Sequence, residues 1–287
     1  MLIVIFLTYS CEMSRKVPLD APIYQPQLVI QGLVSPLSGA RAIIRYNQPL
    51  GDNDVDVPQL PKMEVYLIEN GERVAMFEQD SADQFSIPAE NLDLSAGMDY
   101  AMEVVDLTHE RKYVSSDSRL PDPVEVQTIY ATQDSHFMDD YALGISLGEV
   151  EQKVEAVSVY PVLLDSMMQP VKQISNWQTQ EVNFWNKIST RVEYTNDGLW
   201  TKEKELLFRL SRDYLNEGGE PMLADHVDVY ITYLPTDLTR FVRDLEELYF
   251  SGEDIFQQVR PVYSNFDNAQ GVFGVFSETK RRLEIRR

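Results

Sequence analysis

Residues 63–76 read MEVYLIENGERVAM, and this stretch decides the fold class. Met63, Val65 and Leu67 alternate with Glu64, Tyr66 and Ile68, the period of two expected of a strand with two unlike faces. Asn70-Gly71 interrupts the pattern, and Val74 and Met76 then resume it. Because Asn-Gly accepts the positive φ angles of a two-residue primed turn, the stretch predicts a β-hairpin.

Working outward, Gln27 to Gly32 and Ala40 to Tyr46 predict two strands upstream. Downstream, Asp99 to Val105 predicts another, with Tyr100, Met102 and Val104 on one face and Ala96-Gly97 as the turn before it. Short strands separated by turns at this spacing predict a β-sandwich of about one hundred residues, immunoglobulin-like, over 27–130. Ser115 to Pro123 breaks the pattern with two prolines and a polar cluster, so the approach to a domain boundary is expected there, with exposed backbone.

The remainder, 131–287, reads as a second β-rich domain. Val227, Val229, Ile231 and Tyr233 alternate with Asp228, Tyr230 and Thr232, the clearest strand in the chain. After Pro235 the period changes: Leu238, Phe241, Val242, Leu245, Leu248 and Tyr249 fall at helical spacing. An amphipathic helix near 237–250 is predicted, with Thr236 or Asp237 to cap it and Gly252 to stop it. Phe273 with Val275, and Leu283 with Ile285, predict two final strands, whereas Leu206 to Glu217 fits helix and strand alike.

Composition narrows the function. At 287 residues and 44% hydrophobic, the chain can bury the cores of two domains. Twenty-five Lys and Arg against 46 Asp and Glu give a net charge of −21, which repels nucleic acid and anionic lipid and keeps the surface solvated. Cys11 is the single cysteine, so neither an intramolecular disulfide nor a cysteine metal site can form. His109, His136 and His226 lack a short metal-ligand spacing, and there is no G-x-S-x-G, P-loop or dinucleotide fingerprint. A non-enzymatic protein without metal or cofactor is therefore expected.

Three clusters merit weighing. Asp52, Asn53, Asp54 and Asp56 alternate as calcium ligands do, but Val57 replaces the turn glycine and Met63 the bidentate glutamate of an EF-hand, so a solvated acidic loop is the reading. Trp177, Trp185 and Trp200, with Phe184, are a candidate platform for stacking on sugar rings, against the commoner use of such residues in core packing. Lys280, Arg281, Arg282, Arg286 and Arg287 form the one basic cluster; a solvated strand face is the first reading, contact with headgroups or a receptor the second.

At the amino terminus, Leu2 to Leu7 is an unbroken apolar run that closes on Ser10-Cys11. This resembles a bacterial lipoprotein signal over 1–11, with Cys11 as the lipidated residue and the proline-rich, polar 12–26 as a tether. The run is shorter than the usual ~7–15 residues and no Lys or Arg precedes it, which a start codon further upstream would explain. The alternative is an amino terminus embedded in the fold with Cys11 buried.

Cys11-Glu12, the strand Leu28 to Gly32, Gly97-Met98-Asp99-Tyr100, and Pro261-Val262-Tyr263-Ser264-Asn265 leading to Gly271-Val272-Phe273-Gly274 together resemble the Bacteroidota envelope lipoproteins grouped as domain of unknown function 4249. The resemblance covers nearly the whole chain. It implies an outer-membrane lipoprotein encoded beside a TonB-dependent receptor, which would be its partner in nutrient uptake, and it brings no catalytic residues. Glu12 followed by Met13, Ser14, Arg15 and Lys16 is less acidic than the run that favours surface display in this phylum, so periplasmic face and cell surface both stay open. The rival functions are an envelope glycan hydrolase and an adhesin-like structural module.

Overall fold

The computed structural model describes residues 25–48, 57–123, 125–133, 141–148, 155–170, 172–173, 188, 192–194, 205–210, 214–215, 221–222, 224–251 and 262–285. These residues are mainly β. The hairpin forms as read: β3 (Met63–Glu69) and β4 (Glu72–Met76) pair antiparallel, with Glu69 opposite Glu72. Asn70 and Gly71 take φ of 49° and 83°, the left-handed pair that matches the twist of the flanking strands. Met63, Val65 and Leu67 are buried, while Val74 and Met76 are exposed because β4 is an edge strand and a register shift leaves Val74 out of the ladder.

β3 pairs with β7 (Asp99–Asp106), and β7 with β8 (Arg111–Val114) and the short β9 (Ser118–Arg119). A second sheet runs in the order β19 (Gln270–Val275), β1 (Leu28–Ser35), β2 (Gly39–Tyr46), β6 (Gln84–Ile87), β5 (Glu78–Gln79). One core joins the two sheets, with Ile30, Ile44, Val65, Leu67, Tyr100, Met102, Val104 and Phe273 fully buried in it. Each large apolar side chain so placed contributes about 1.5–3 kcal/mol.

Two features depart from the sequence reading. β19 lies beside β1 in parallel, from Val29 opposite Gln270 to Val34 opposite Val275, so the sandwich expected within 27–130 is completed by a strand from the far end of the chain. Phe273 and Val275 belong to its core, and the chain passes between the two halves three times, since β20 returns to pair with β18. The stretch from Ser115 to Pro123, expected to expose its backbone, buries Ser115, Ser118, Leu120 and Pro121. Its polar residues are used as staples. Ser115 Oγ accepts from Met102 N–H at 2.9 Å, Ser118 Oγ from Val275 N–H at 3.2 Å, and the Asp122 carbonyl accepts from Ser277 Oγ at 2.7 Å.

In the second half, β10 (Val126–Gln133), β11 (Tyr141–Leu147) and β15 (Glu205–Leu210) form one sheet. β14 (Val192–Tyr194), β12 (Ala156–Leu164), β18 (His226–Leu234) and β20 (Ser277–Glu284) form another. Leu143, Ile145, Val157, Val159, Val229 and Ile231 fill the core they share. A small sheet of β13 (Lys172–Gln173), β16 (Tyr214–Leu215) and β17 (Pro221–Met222) accompanies them, so the described part of Leu206 to Glu217 is strand.

The predicted helix is α1 (Thr236–Ser251). Its apolar face, Leu238, Phe241 and Val242, packs on Leu33 and Val272 of the first sheet and on Ala156, Leu234 and Phe276 from the second half. Gly274 permits this approach, because a Cβ there would meet the Leu238 side chain at 2.3–2.7 Å. The helix thus sits on the seam between the two cores.

Candidate functional site: a polar cleft at the end of the first sandwich

Along β7 the core-facing residues are Tyr100, Met102, Val104 and then Asp106, so the inner row ends on a carboxylate. β8 answers with Arg111 opposite Asp106 and Tyr113 opposite Val104. The turn between the strands supplies His109. Asp106 Oδ1 accepts the N–H groups of Thr108 at 2.8 Å and His109 at 3.0 Å, and Oδ2 lies 2.8 Å from His109 Nδ1. The Asp106 side chain is 4% exposed and that of His109 54%. Burial pushes the Asp106 carboxyl up, but the bonds from the His109 amide and ring and the Thr108 amide outweigh it and hold the group below its ordinary range. A carboxylate at Nδ1 selects the tautomer with the proton there, which leaves Nε2 as the imidazole's unused nitrogen.

These residues line a cleft of about 320 Å³. Leu28, Tyr46, Pro58 and Tyr113 supply flat or apolar wall, and Pro26, Gln27 and Asn268 complete the rim. Gln27 is fixed by Asn47, whose side-chain oxygen accepts its N–H at 2.8 Å and whose own N–H donates back to the Gln27 carbonyl at 2.9 Å. Asn268 holds φ of 62°, a left-handed position that Asn tolerates better than most residues. No serine, threonine or cysteine is among the described lining residues, so the His109–Asp106 pair has no hydroxyl or thiol nucleophile of that kind beside it. The arrangement is equipped to hold a ligand.

Of the residues singled out in the sequence, Cys11, Trp177, Trp185 and Trp200 lie outside the described residues, as do Asp52, Asn53, Asp54, Asp56, His136, Arg286 and Arg287. His109 is the histidine placed in the cleft. His226 lies on β18, half-buried, with Nδ1 buried and without a hydrogen-bond partner. Two members of the basic cluster do more than solvate a strand face. Arg282 grips the buried Asp228 with Nε on Oδ1 at 2.6 Å and Nη2 on Oδ2 at 2.8 Å, and Lys280 Nζ reaches Oδ2 at 2.8 Å. Burial opposes the charge on Asp228, and these two cations override it, so its pKa is lowered.

The segment that carries the family resemblance at the carboxyl-terminal end forms a joint. Asn265 donates to the Phe273 carbonyl at 2.8 Å and accepts the Phe273 N–H at 2.9 Å, and Tyr263 OH donates to Asp237 Oδ1 at 2.7 Å. The Ser116 N–H donates to the Asn265 carbonyl at 2.7 Å, which ties α1, β19 and the first sandwich to one another. Burial first, and then Asp237, push the Tyr263 hydroxyl up to about 12.

Asp106 and Arg111 were passed over in the sequence, although Asp106-Leu107-Thr108-His109 carries the signal of a side-chain-closed turn. The cleft itself needed the sheet register to be seen. A comparison with curated proteins finds no match. The model of one family, described as domain of unknown function (DUF4249), matches residues 15–282, and the chain belongs to that family.

Proposed function

We propose that the protein is a non-enzymatic lipoprotein of the Bacteroidota outer membrane, held there through Cys11, that acts as an accessory or binding partner of a TonB-dependent receptor in nutrient uptake. The observation that carries this reading is the layout of the amino-terminal end. The apolar run Leu2 to Leu7 and Ser10-Cys11 precede residue 15, where the family match starts, and the first strand among the described residues begins at Leu28. A leader, a lipid attachment point and a spacer fit in that interval in the order an anchored body requires. The fifteen residues of 12–26, when extended, span at most about 50 Å, enough to let a folded body reach a receptor in the same membrane.

Lipid attachment would supply lasting anchorage, because each buried methylene contributes about 0.8 kcal/mol and a diacylglyceryl group brings two chains. A binding role is supported by the cleft, whose flat and apolar walls surround polar groups held in place by their own turn. The test is affinity purification of the tagged, full-length protein from its native outer membrane in mild detergent. An outer-membrane receptor in the eluate is the expected result, and an eluate without one removes the partnership. In parallel, Cys11→Ser should lose incorporation of radioactive palmitate and leave the membrane fraction; wild-type protein that takes up no palmitate would end the anchoring claim.

A further inference from the structure

Among the described lining residues the cleft has one carboxylate, and it is turned toward its own loop. Both oxygens of Asp106 are occupied by the Thr108 and His109 amides and the His109 ring. Arg111 stands directly opposite in the ladder, yet among the described residues it makes no ion pair and remains exposed. Arg41, Arg45 and Arg281 are also without an ion pair among the described residues, but Arg111 is the one of these that lines the cleft. The neighbouring β8 cation behaves in the ordinary way: Lys112, on the opposite face, pairs with the buried Glu103. Arg111 is thus a donor group set in a concavity with its positive charge unspent.

We propose that the cleft binds the carboxylate of a small monoanionic acid whose body is a ring or a short apolar chain. The guanidinium presents a planar fork of N–H donors that matches a carboxylate in bidentate fashion. The Asn268 and Gln27 amides stand at the rim as further donors, and Tyr46 and Tyr113 offer flat faces for the body of the ligand. A volume of about 320 Å³ suits such a molecule and excludes a polymer segment of any length. The field of a chain at −21 disfavours multiply charged anions, which selects a carboxylate over phosphate. Arg111 repels a cationic ligand beside it, while the Asp106 carboxylate faces its own His109 turn. This inference stands apart from the receptor reading: it concerns a small ligand on the purified protein, and its failure would leave the co-purification result untouched.

The test is an NMR titration of the full chain carrying labelled arginine and histidine side chains, with benzoate, inorganic phosphate and benzylamine as separate probes. Benzoate should produce saturable shifts at Arg111 and His109 with a Kd of about 1 mM, as suits a probe of so few atoms. Arg111→Met, which keeps most of the stem, should weaken benzoate at least tenfold, and Arg111→Lys should fall between. Because Arg111 is exposed, the variants should keep the wild-type melting temperature. If one does not, Asn268→Ala gives the second reading, with an expected loss of several-fold. The proposal is overturned if benzoate shifts no cleft resonance, if Arg111→Met binds it as tightly as wild type, or if phosphate or benzylamine matches it.

Discussion

Gly271 has φ of 121° where β19 begins beside β1, and a Cβ at that position would stand 1.8 Å from the Ile30 carbonyl oxygen. The clash is with backbone on both sides, so no rotamer relieves it. Gly271→Ala should lower stability by about 1–3 kcal/mol, seen as a fall in the urea midpoint with an unchanged slope. A few residues earlier, Asn265 serves both backbone groups of Phe273. Asn265→Ala orphans a buried N–H and a buried C=O at once, with an expected loss of about 2–4 kcal/mol in the same measurement. Both residues stand in the stretch by which the family resemblance was recognised. The sequence could display them as a motif, but their purpose depends on Ile30 and Ser116, which lie more than a hundred positions away and leave no local trace. Asp106 shows the converse. Its turn was legible nearby, and what was not legible is that the turn closes the core of a sandwich.

At the scale of elements, strands are held from their outer faces by cations reaching across to a central carboxylate. Glu103 on β7 lies between Arg73 on β4 and Lys112 on β8, and Asp228 on β18 is held by Lys280 and Arg282 on β20. Burial opposes ionisation of both carboxylates, and the paired cations more than compensate, so each has a lowered pKa in the fold, as has Asp106. A depressed folded-state value means that the stabilisation is fully present above the unfolded value, near 4, and is lost as pH falls through the folded one. Stability should therefore hold from neutrality to about pH 4 and decline steeply below it. Asp228→Asn should destabilise at pH 7 and flatten that decline, and urea melts at several pH values would show an unflattened slope if the pairing were idle. Tyr100, Tyr233 and Tyr263 are pushed to about 12, chiefly by burial, so their contribution has the opposite sign: present below 10 and lost as pH rises toward 12. In an ultraviolet titration these three should ionise later than exposed tyrosines. The alternation that predicted β3, β7 and β18 and the helical spacing that predicted α1 are properties of single elements, and a single sequence displays them well. It could not display which cation would reach Glu103, because that is decided by strand neighbours.

For the whole molecule, strands far apart in the chain share one sheet, β1 beside β19. Ser115 to Pro123, expected from the sequence to expose its backbone, is pinned to β19 and β20 by Ser118, Ser277 and the Asp122 carbonyl. Brief proteolysis of the native protein should spare it. The fragment 25–131 should fail to give the dispersed NMR spectrum of a folded sandwich, since it lacks Phe273 and Val275 and leaves β1 an open edge; a dispersed spectrum would show that β19 is dispensable. Composition reveals where a chain is polar, not what the polar groups bind. The parallel pairing of β1 with β19 has a consequence for the order of events in the cell. When Leu28 to Ser35 leaves the ribosome, its partner Gln270–Val275 is still about 240 codons away from being made. The amino-terminal sheet therefore cannot finish until β19 has been made, and domain-by-domain maturation from the front is closed to this protein. Under the export reading, that delay is useful: a polypeptide that cannot lock its first half early stays threadable until β19 arrives.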